Sequence, residues 1–164
     1  ILIYDDLYPD QQPAADFALD TKTSALYVDM RVGKTWMAGT VTEELLHDNY
    51  KGLVITLKTN KYSTWYDFFA EKIPSMDVYT TETTEVKAAK FSKIDGPKTL
   101  LVHYDELGRG RLIEHLRKIK WDFICVDESH RINNRNSKFS KALKKPMSIV
   151  DRVGLKVRIG SCVP

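Results

Sequence analysis

The sequence predicts an α/β fold with a mostly parallel central sheet. Three observations predict it. Short apolar runs and stretches of helical periodicity alternate along all 164 residues. Gly33-Lys34-Thr35 stands between one such run and a helical stretch. The pair Asp127-Glu128 stands directly after another run, Phe123-Ile124-Cys125-Val126. Composition fits an ordinary domain, with 43% hydrophobic and 29% charged residues. No apolar run approaches the roughly 18 residues a membrane span needs. The first ten residues lack the basic and apolar pattern of a secretory leader. There is no internal repeat.

The elements follow in order. Leu7 to Leu19 reads as a turn and then a helix, started by Pro9 or Asp10 and carrying Ala14, Ala15, Phe17, Ala18 and Leu19 as apolar positions. Ala25 to Val28 is a short strand ending at Asp29. Thr35 to His47 is helical through Trp36, Met37, Val41, Leu45 and Leu46. Gly52 to Leu57 is a buried strand. Ser63 or Thr64 caps a helix with Trp65, Phe68 and Phe69 on it. Met76 to Tyr79 is a short strand, and the polar stretch 80–98 closes on the turn Asp95-Gly96-Pro97. Thr99 to His103 is a strand. Gly108 to Ile119 is a helix with Leu112, Ile113, Leu116 and Ile119 on one face. Phe123 to Val126 is a strand, Ser137 to Leu143 a helix, and Lys156 to Ile159 the last strand.

A strand, a tight turn, Gly-Lys-Thr and a helix together make a phosphate cradle. Turn amides and the helix N-terminus surround the oxygens with positive dipole ends. Lys34 reaches the β- and γ-phosphates, the Thr35 hydroxyl binds Mg²⁺, and Gly33 permits close backbone approach. The common loop has glycine five residues before this Gly-Lys, where Val28 stands here, so the tripeptide alone is a weak signal. The acidic pair strengthens it. Ligands of parallel sheets bind at the carboxyl ends of strands, where both motifs lie. There Asp127 holds the metal and Glu128 orients and deprotonates an attacking water.

Charge is distributed unevenly. The net charge is only +3, but from Arg131 to Lys145 six basic residues occur without an acidic one, among them Arg131 and Arg135. Such a stretch suits a polyanion or a solvated helix face. The two cysteines, Cys125 and Cys162, sit in apolar runs and read as buried reduced thiols.

Asp127-Glu128-Ser129-His130, flanked by Trp121-Asp122 and Arg131-Ile132-Asn133-Asn134, resembles motif II of superfamily-two helicases, closest to the Swi/Snf-type branch and its phage relatives. Met30-Arg31-Val32-Gly33-Lys34-Thr35 resembles motif I of that branch, where the distant glycine is often absent. Leu7-Tyr8-Pro9-Asp10-Gln11 resembles the upstream glutamine motif, so Gln11 is assigned to adenine, with Gln12 its rival. Leu53 to Lys58, followed by Trp65, resembles motif Ia. His103-Tyr104-Asp105 resembles the segment after the next strand, where many members carry Asn-Tyr. Ile159-Gly160-Ser161-Cys162-Val163-Pro164 aligns with motif III, with Cys-Val in place of Gly-Thr.

The resemblance implies a three-layer RecA-like domain of the P-loop NTPase kind, with residues 1–164 as one ATP-binding lobe and the second lobe absent. It implies ATP and Mg²⁺ as cofactors and hydrolysis coupled to movement on nucleic acid, in particular double-stranded DNA. A lobe alone is expected to bind ATP better than it hydrolyses it. His130 is expected to couple motif II to motif III. Lys58, Asn60, Tyr104, Arg131 and Arg135 are the candidates for nucleic-acid contact. Partners are DNA and a second lobe or partner protein, with no membrane, in the cytoplasm of a bacterium or a phage-infected cell. The competing reading is a non-catalytic helicase-like module that binds DNA or a partner protein. An unrelated phosphate-loop enzyme, such as a small nucleotide kinase, leaves Gln11 and the stretch Trp121 to Asn134 unexplained.

Overall fold

Among the described residues, six strands form one sheet in the order β1-β6-β5-β2-β4-β3, and every neighbouring pair is parallel. They are β1 Thr23–Val28, β2 Lys51–Thr56, β3 Asp77–Thr80, β4 Lys98–His103, β5 Trp121–Val126 and β6 Val153–Ser161. The computed structural model describes residues 3–21, 23–28, 33–81, 90–108, 111–128 and 153–161. The expected helix at Ser137 to Leu143, the basic stretch 131–145, His130, and Met30, Arg31 and Val32 lie outside them. So does Cys162 to Pro164 of the motif III alignment.

Alternation along the strands builds three layers, because successive side chains in a strand point to opposite faces. Leu53 and Ile55 of β2, Leu100 and Val102 of β4, and Ile124 and Val126 of β5 belong to one buried cluster. That cluster includes Leu107 of α4 (Tyr104–Leu107) and Leu112 and Leu116 of α5 (Leu112–Lys118). Val54, Leu101, Phe123 and Cys125 belong to the other. They pack with Ala18 of α1 (Gln12–Asp20), Ala38 and Val41 of α2 (Lys34–Leu45) and Phe69 of α3 (Asp67–Lys72). Both faces of the central strands are covered, which is why their sequences are continuous apolar runs rather than alternating ones.

Helix α2 is buried from Met37 to Thr42 despite two threonines. Their hydroxyls donate back to Trp36 O (3.0 Å) and Ala38 O (2.9 Å), so neither is left unsatisfied. Gly39 lets the α2 backbone meet Phe68, whose ring would lie 2.5 Å from an added Cβ.

Three local expectations change. Phe17 is exposed, and α1 instead buries its small residues Ala15 and Ala18. The segment expected to start at a Ser63 or Thr64 cap starts earlier. A 3₁₀ turn at Lys58–Asn60 runs into a π-helical turn at Lys61–Tyr66 and then into α3. The helix expected from Gly108 begins at Leu112, and a separate turn of helix, α4, precedes it. Because all strands run the same way, Thr56, His103 and Val126 reach one edge of the sheet. Val28, the last residue of β1, ends at that same edge.

Candidate nucleotide-binding site

The expected phosphate and metal residues meet in one open cleft. Gly33, Lys34, Thr35, Asn60, Thr64, Asp127 and Glu128 line a cavity of about 550 Å³ at the carboxyl edge of the sheet. Gly33 sits at the N-terminus of the 12-residue helix α2 with φ +70°. Backbone in that region favours glycine, and a Cβ there would also lie 2.4 Å from Gln11 Nε2. Trp36 and Met37 N–H both donate to Gly33 O, closing the first turn behind it. Lys34 and Thr35 are thus the first two residues of a helix whose dipole favours anions.

Gln11 is buried at 5% exposure. Its Oε1 accepts from Tyr8 N–H at 2.8 Å, and its amide nitrogen lies beside Gly33. The upstream glutamine is therefore seated against the phosphate loop. Gln12 instead opens α1, one residue further along.

Asp127 is also buried, at 6% exposure. Its backbone N–H extends the sheet by donating to Ile55 O at 2.8 Å. Carboxylate Oδ2 accepts from Thr56 Oγ1 at 2.8 Å and from Trp65 Nε1 at 3.1 Å. Oδ1 accepts from Glu128 N–H at 2.9 Å. A buried carboxylate with this many donors is solvated by the protein in place of water. Glu128 follows with φ 53°, an uncommon conformation for a non-glycine residue and one that clusters at functional sites. Tyr104 donates its hydroxyl to Asp127 O and also lies 3.5 Å from Glu128 O.

These contacts correct one expectation. Tyr104, a candidate for nucleic-acid contact, is 2% exposed and its hydroxyl holds the end of β5. It offers no face to a strand of DNA. Asn60 lines the same cleft as Lys34 and Asp127, while Lys58 is exposed on the adjoining turn. Arg131 and Arg135 lie outside the described residues, as does His130.

Beside the cleft is a buried polar cluster that the sequence did not announce. Lys61 and Glu106 are paired at 3.2 Å, with side chains 3% and 7% exposed. Lys61 Nζ also donates to Thr81 O at 2.9 Å. Glu106 Oε2 accepts from Thr81 Oγ1 (2.6 Å) and from His103 N–H (3.0 Å), and its Oε1 lies 3.3 Å from His103 Nε2. Burial lowers the His103 pKa from 6.5. The charge of Glu106 opposes that shift, and Lys61 adds to it. Cys125, two residues before Asp127, is fully buried, and burial together with the Asp127 charge pushes its thiol well above the usual range.

The residues fit ATP and Mg²⁺. The cradle has a glycine where a side chain cannot stand, a lysine and a hydroxyl on the first helical turn, and a buried carboxylate across the cleft. Among the described residues no group of three or more His, Cys, Asp or Glu could hold a metal alone. A magnesium shared between one carboxylate, one hydroxyl and phosphate oxygens matches that set, since Mg²⁺ is usually held by few protein ligands plus phosphates and water.

A phosphate-loop sheet with motif II at the end of β5 defines a class, the helicase-type nucleotide-binding lobe. Residues 20–155 match the family model of the SNF2-related domain, so the chain belongs to that family. It is 32% identical over 124 residues to the probable ATP-dependent DNA helicase CHR12 of Arabidopsis thaliana, covering 70% of this chain and 11% of that protein. It is 26% identical over 152 residues to the SWI/SNF-related matrix-associated actin-dependent regulator of chromatin subfamily A-like protein 1 of Drosophila melanogaster, covering 92% of this chain and 19% of that protein. Among solved structures it is similar to the Sulfolobus solfataricus SWI2/SNF2 ATPase core in complex with dsDNA. That match has TM-score 0.72 and 20% identity, over 94% of this chain and 31% of that one. It is also similar to the Type ISP restriction-modification enzyme LlaGI in complex with a DNA substrate mimic, with TM-score 0.69 and 16% identity, over 93% of this chain and 17% of that one. The three-layer RecA-like fold is shared with these structures. The three of these relatives whose organism is given are from a plant, an insect and an archaeon, and none of those three supports a phage or bacterial source. No helix among the described residues is long and apolar enough to cross a membrane.

Proposed function

We propose that residues 1–164 act as one ATP-binding lobe of a DNA-dependent ATPase of the helicase or translocase kind. The observation that carries this reading is the convergence of Lys34, Thr35, Asp127 and Glu128 on one cleft from opposite ends of the sequence. The family membership and the DNA-bound structural relatives support it.

The roles follow from position. The N-terminus of α2 holds the phosphates, and Lys34 offsets their charge. The Thr35 hydroxyl and the Asp127 carboxylate hold Mg²⁺ with the phosphates. That ion, when bound, neutralises charge on the transferring phosphoryl group. Glu128 orients a water and takes its proton. Gln11, against the loop, reads the adenine edge. Lys58 on the exposed turn contacts the phosphate backbone of double-stranded DNA, as do Arg131 and Arg135, with His130 coupling the two activities. A second lobe, from the same or another chain, completes the enzyme.

Nucleotide binding with Mg²⁺, compared between wild type and Lys34→Ala, tests the site, and ATPase assays with and without DNA test the activity. Lys34→Ala should weaken binding at least tenfold, about 1.4 kcal/mol. Equal binding by both proteins would overturn the site. DNA binding by the intact protein with no turnover would favour a non-catalytic DNA-binding module.

A further inference from the structure

The donors on Asp127 are not distributed evenly between its oxygens. Oδ2 receives two side-chain donors, the Thr56 hydroxyl at 2.8 Å and the Trp65 indole N–H at 3.1 Å. Oδ1 receives one donor among the described residues, the N–H of Glu128. Each carboxylate oxygen has about two acceptor directions. Oδ2 is therefore filled by protein, and Oδ1 keeps capacity for the magnesium shell.

Both donors are fixed by their own packing. Thr56 is the last residue of β2 and is fully buried. Trp65 is 1% exposed and packs against Phe69 with ring centroids 5.8 Å apart. It stands on the π-helical turn Lys61–Tyr66, a rare local geometry that recurs at functional sites. The other buried residue of that turn, Lys61, is tied to Glu106 and Thr81. Glu106 belongs to the same short helix as Tyr104, which holds the Asp127 carbonyl. The turn that aims the indole is thus anchored to the helix that fixes the end of β5.

We infer that Trp65 and Thr56 are positioning residues for the metal carboxylate: they hold Oδ2 and thereby present Oδ1 to Mg²⁺. The inference rests on the reading of Asp127 as a magnesium ligand. Groups that orient a metal ligand commonly change metal affinity roughly 10- to 100-fold when removed.

The experiment measures binding of a fluorescent ATP analogue to the intact protein, first without metal and then through a Mg²⁺ titration. Trp65→Phe keeps most of the ring packing and removes the N–H. Thr56→Val keeps the shape and removes the hydroxyl, and Thr56→Ser restores it. The expected result is unchanged metal-free binding, with roughly tenfold more Mg²⁺ needed for half-maximal tightening in Trp65→Phe and Thr56→Val. Thr56→Ser should return most of the wild-type response. Wild-type Mg²⁺ dependence in Trp65→Phe and Thr56→Val would overturn the inference if Asp127→Asn shifts it. No shift in Asp127→Asn would overturn the underlying metal assignment as well. A proportional loss of metal-free binding in Trp65→Phe and in Thr56→Ser would also overturn the inference, since it marks a packing effect alone.

Discussion

Single residues in this site do their work in pairs that are distant along the chain. Thr56 and Asp127 are 71 positions apart, and Trp65 and Asp127 are 62 apart. His103 shows the same dependence on tertiary setting. It lies between Glu106, Asp105, Lys61 and Lys58, and burial still lowers its pKa below 6.5. The consequence for stability has a definite sign. As pH falls through 6.5 the unfolded chain takes up a proton that the folded chain resists. The neutral imidazole's contribution is therefore present above that pH and is lost as pH falls towards the folded value. Thermal or urea unfolding from about pH 7.5 to about pH 5.5 should show wild type losing more stability than His103→Asn. Equal losses would show that His103 titrates as a solvated histidine. Gly33 and Asp127 were legible as candidate site residues because the chemistry proposed for them is local to a motif. The supporting roles of Thr56, Trp65 and Tyr104 were not, because a hydroxyl or indole carries no sequence signal of which carboxylate it will meet.

At the scale of elements, the strands were easier to read than the helices. The runs at 52–57, 99–103 and 123–126 are continuous and apolar because both faces of β2, β4 and β5 are covered. The stretch from Lys58 to Lys72 was harder. A serine or threonine cap was expected at position 63 or 64, yet 3₁₀, π and α turns follow one another from Lys58 onward. The reason is the buried lysine. Lys61 carries a charge into the interior, and its pairing with Glu106 and Thr81 fixes the turn more firmly than a cap at its next helical residues. Removing one partner of a buried pair leaves an uncompensated charge and costs about 3–5 kcal/mol. Lys61→Met should therefore destabilise the protein by about that much in urea unfolding, while the double change Lys61→Met with Glu106→Gln should cost less than the sum of the singles. A loss below about 1 kcal/mol in the single variant would mean that water screens the pair as it does at a surface.

Across the whole molecule, the parallel sheet collects loops from far-apart segments at one edge, and the proposed function divides that edge between two ligands. The proposed nucleotide cleft takes Gly33, Lys34, Thr35, Asp127 and Glu128, together with Asn60, which had been expected on the DNA side. Tyr104 is withdrawn into the core. Among the described residues, Lys58 is then the expected DNA-contact residue that remains exposed, on the turn directly after β2 and next to Asn60 of the cleft. A lysine placed there meets a phosphate as a point charge and reads no base, so its contribution must be independent of sequence and sensitive to salt. Each phosphate contact releases counterions and steepens the dependence of log affinity on log salt by about 0.9 on duplex DNA. Measured on the intact protein with unrelated duplexes of equal length, Lys58→Ala should weaken binding by a similar factor on every sequence and reduce that slope by about one. Nucleotide affinity without DNA should stay near wild type, because Lys58 is not among the residues lining the cleft. A variant with the wild-type slope would remove Lys58 from the DNA interface and leave the contact to groups beyond this turn. A slope change confined to one duplex sequence would contradict backbone recognition itself.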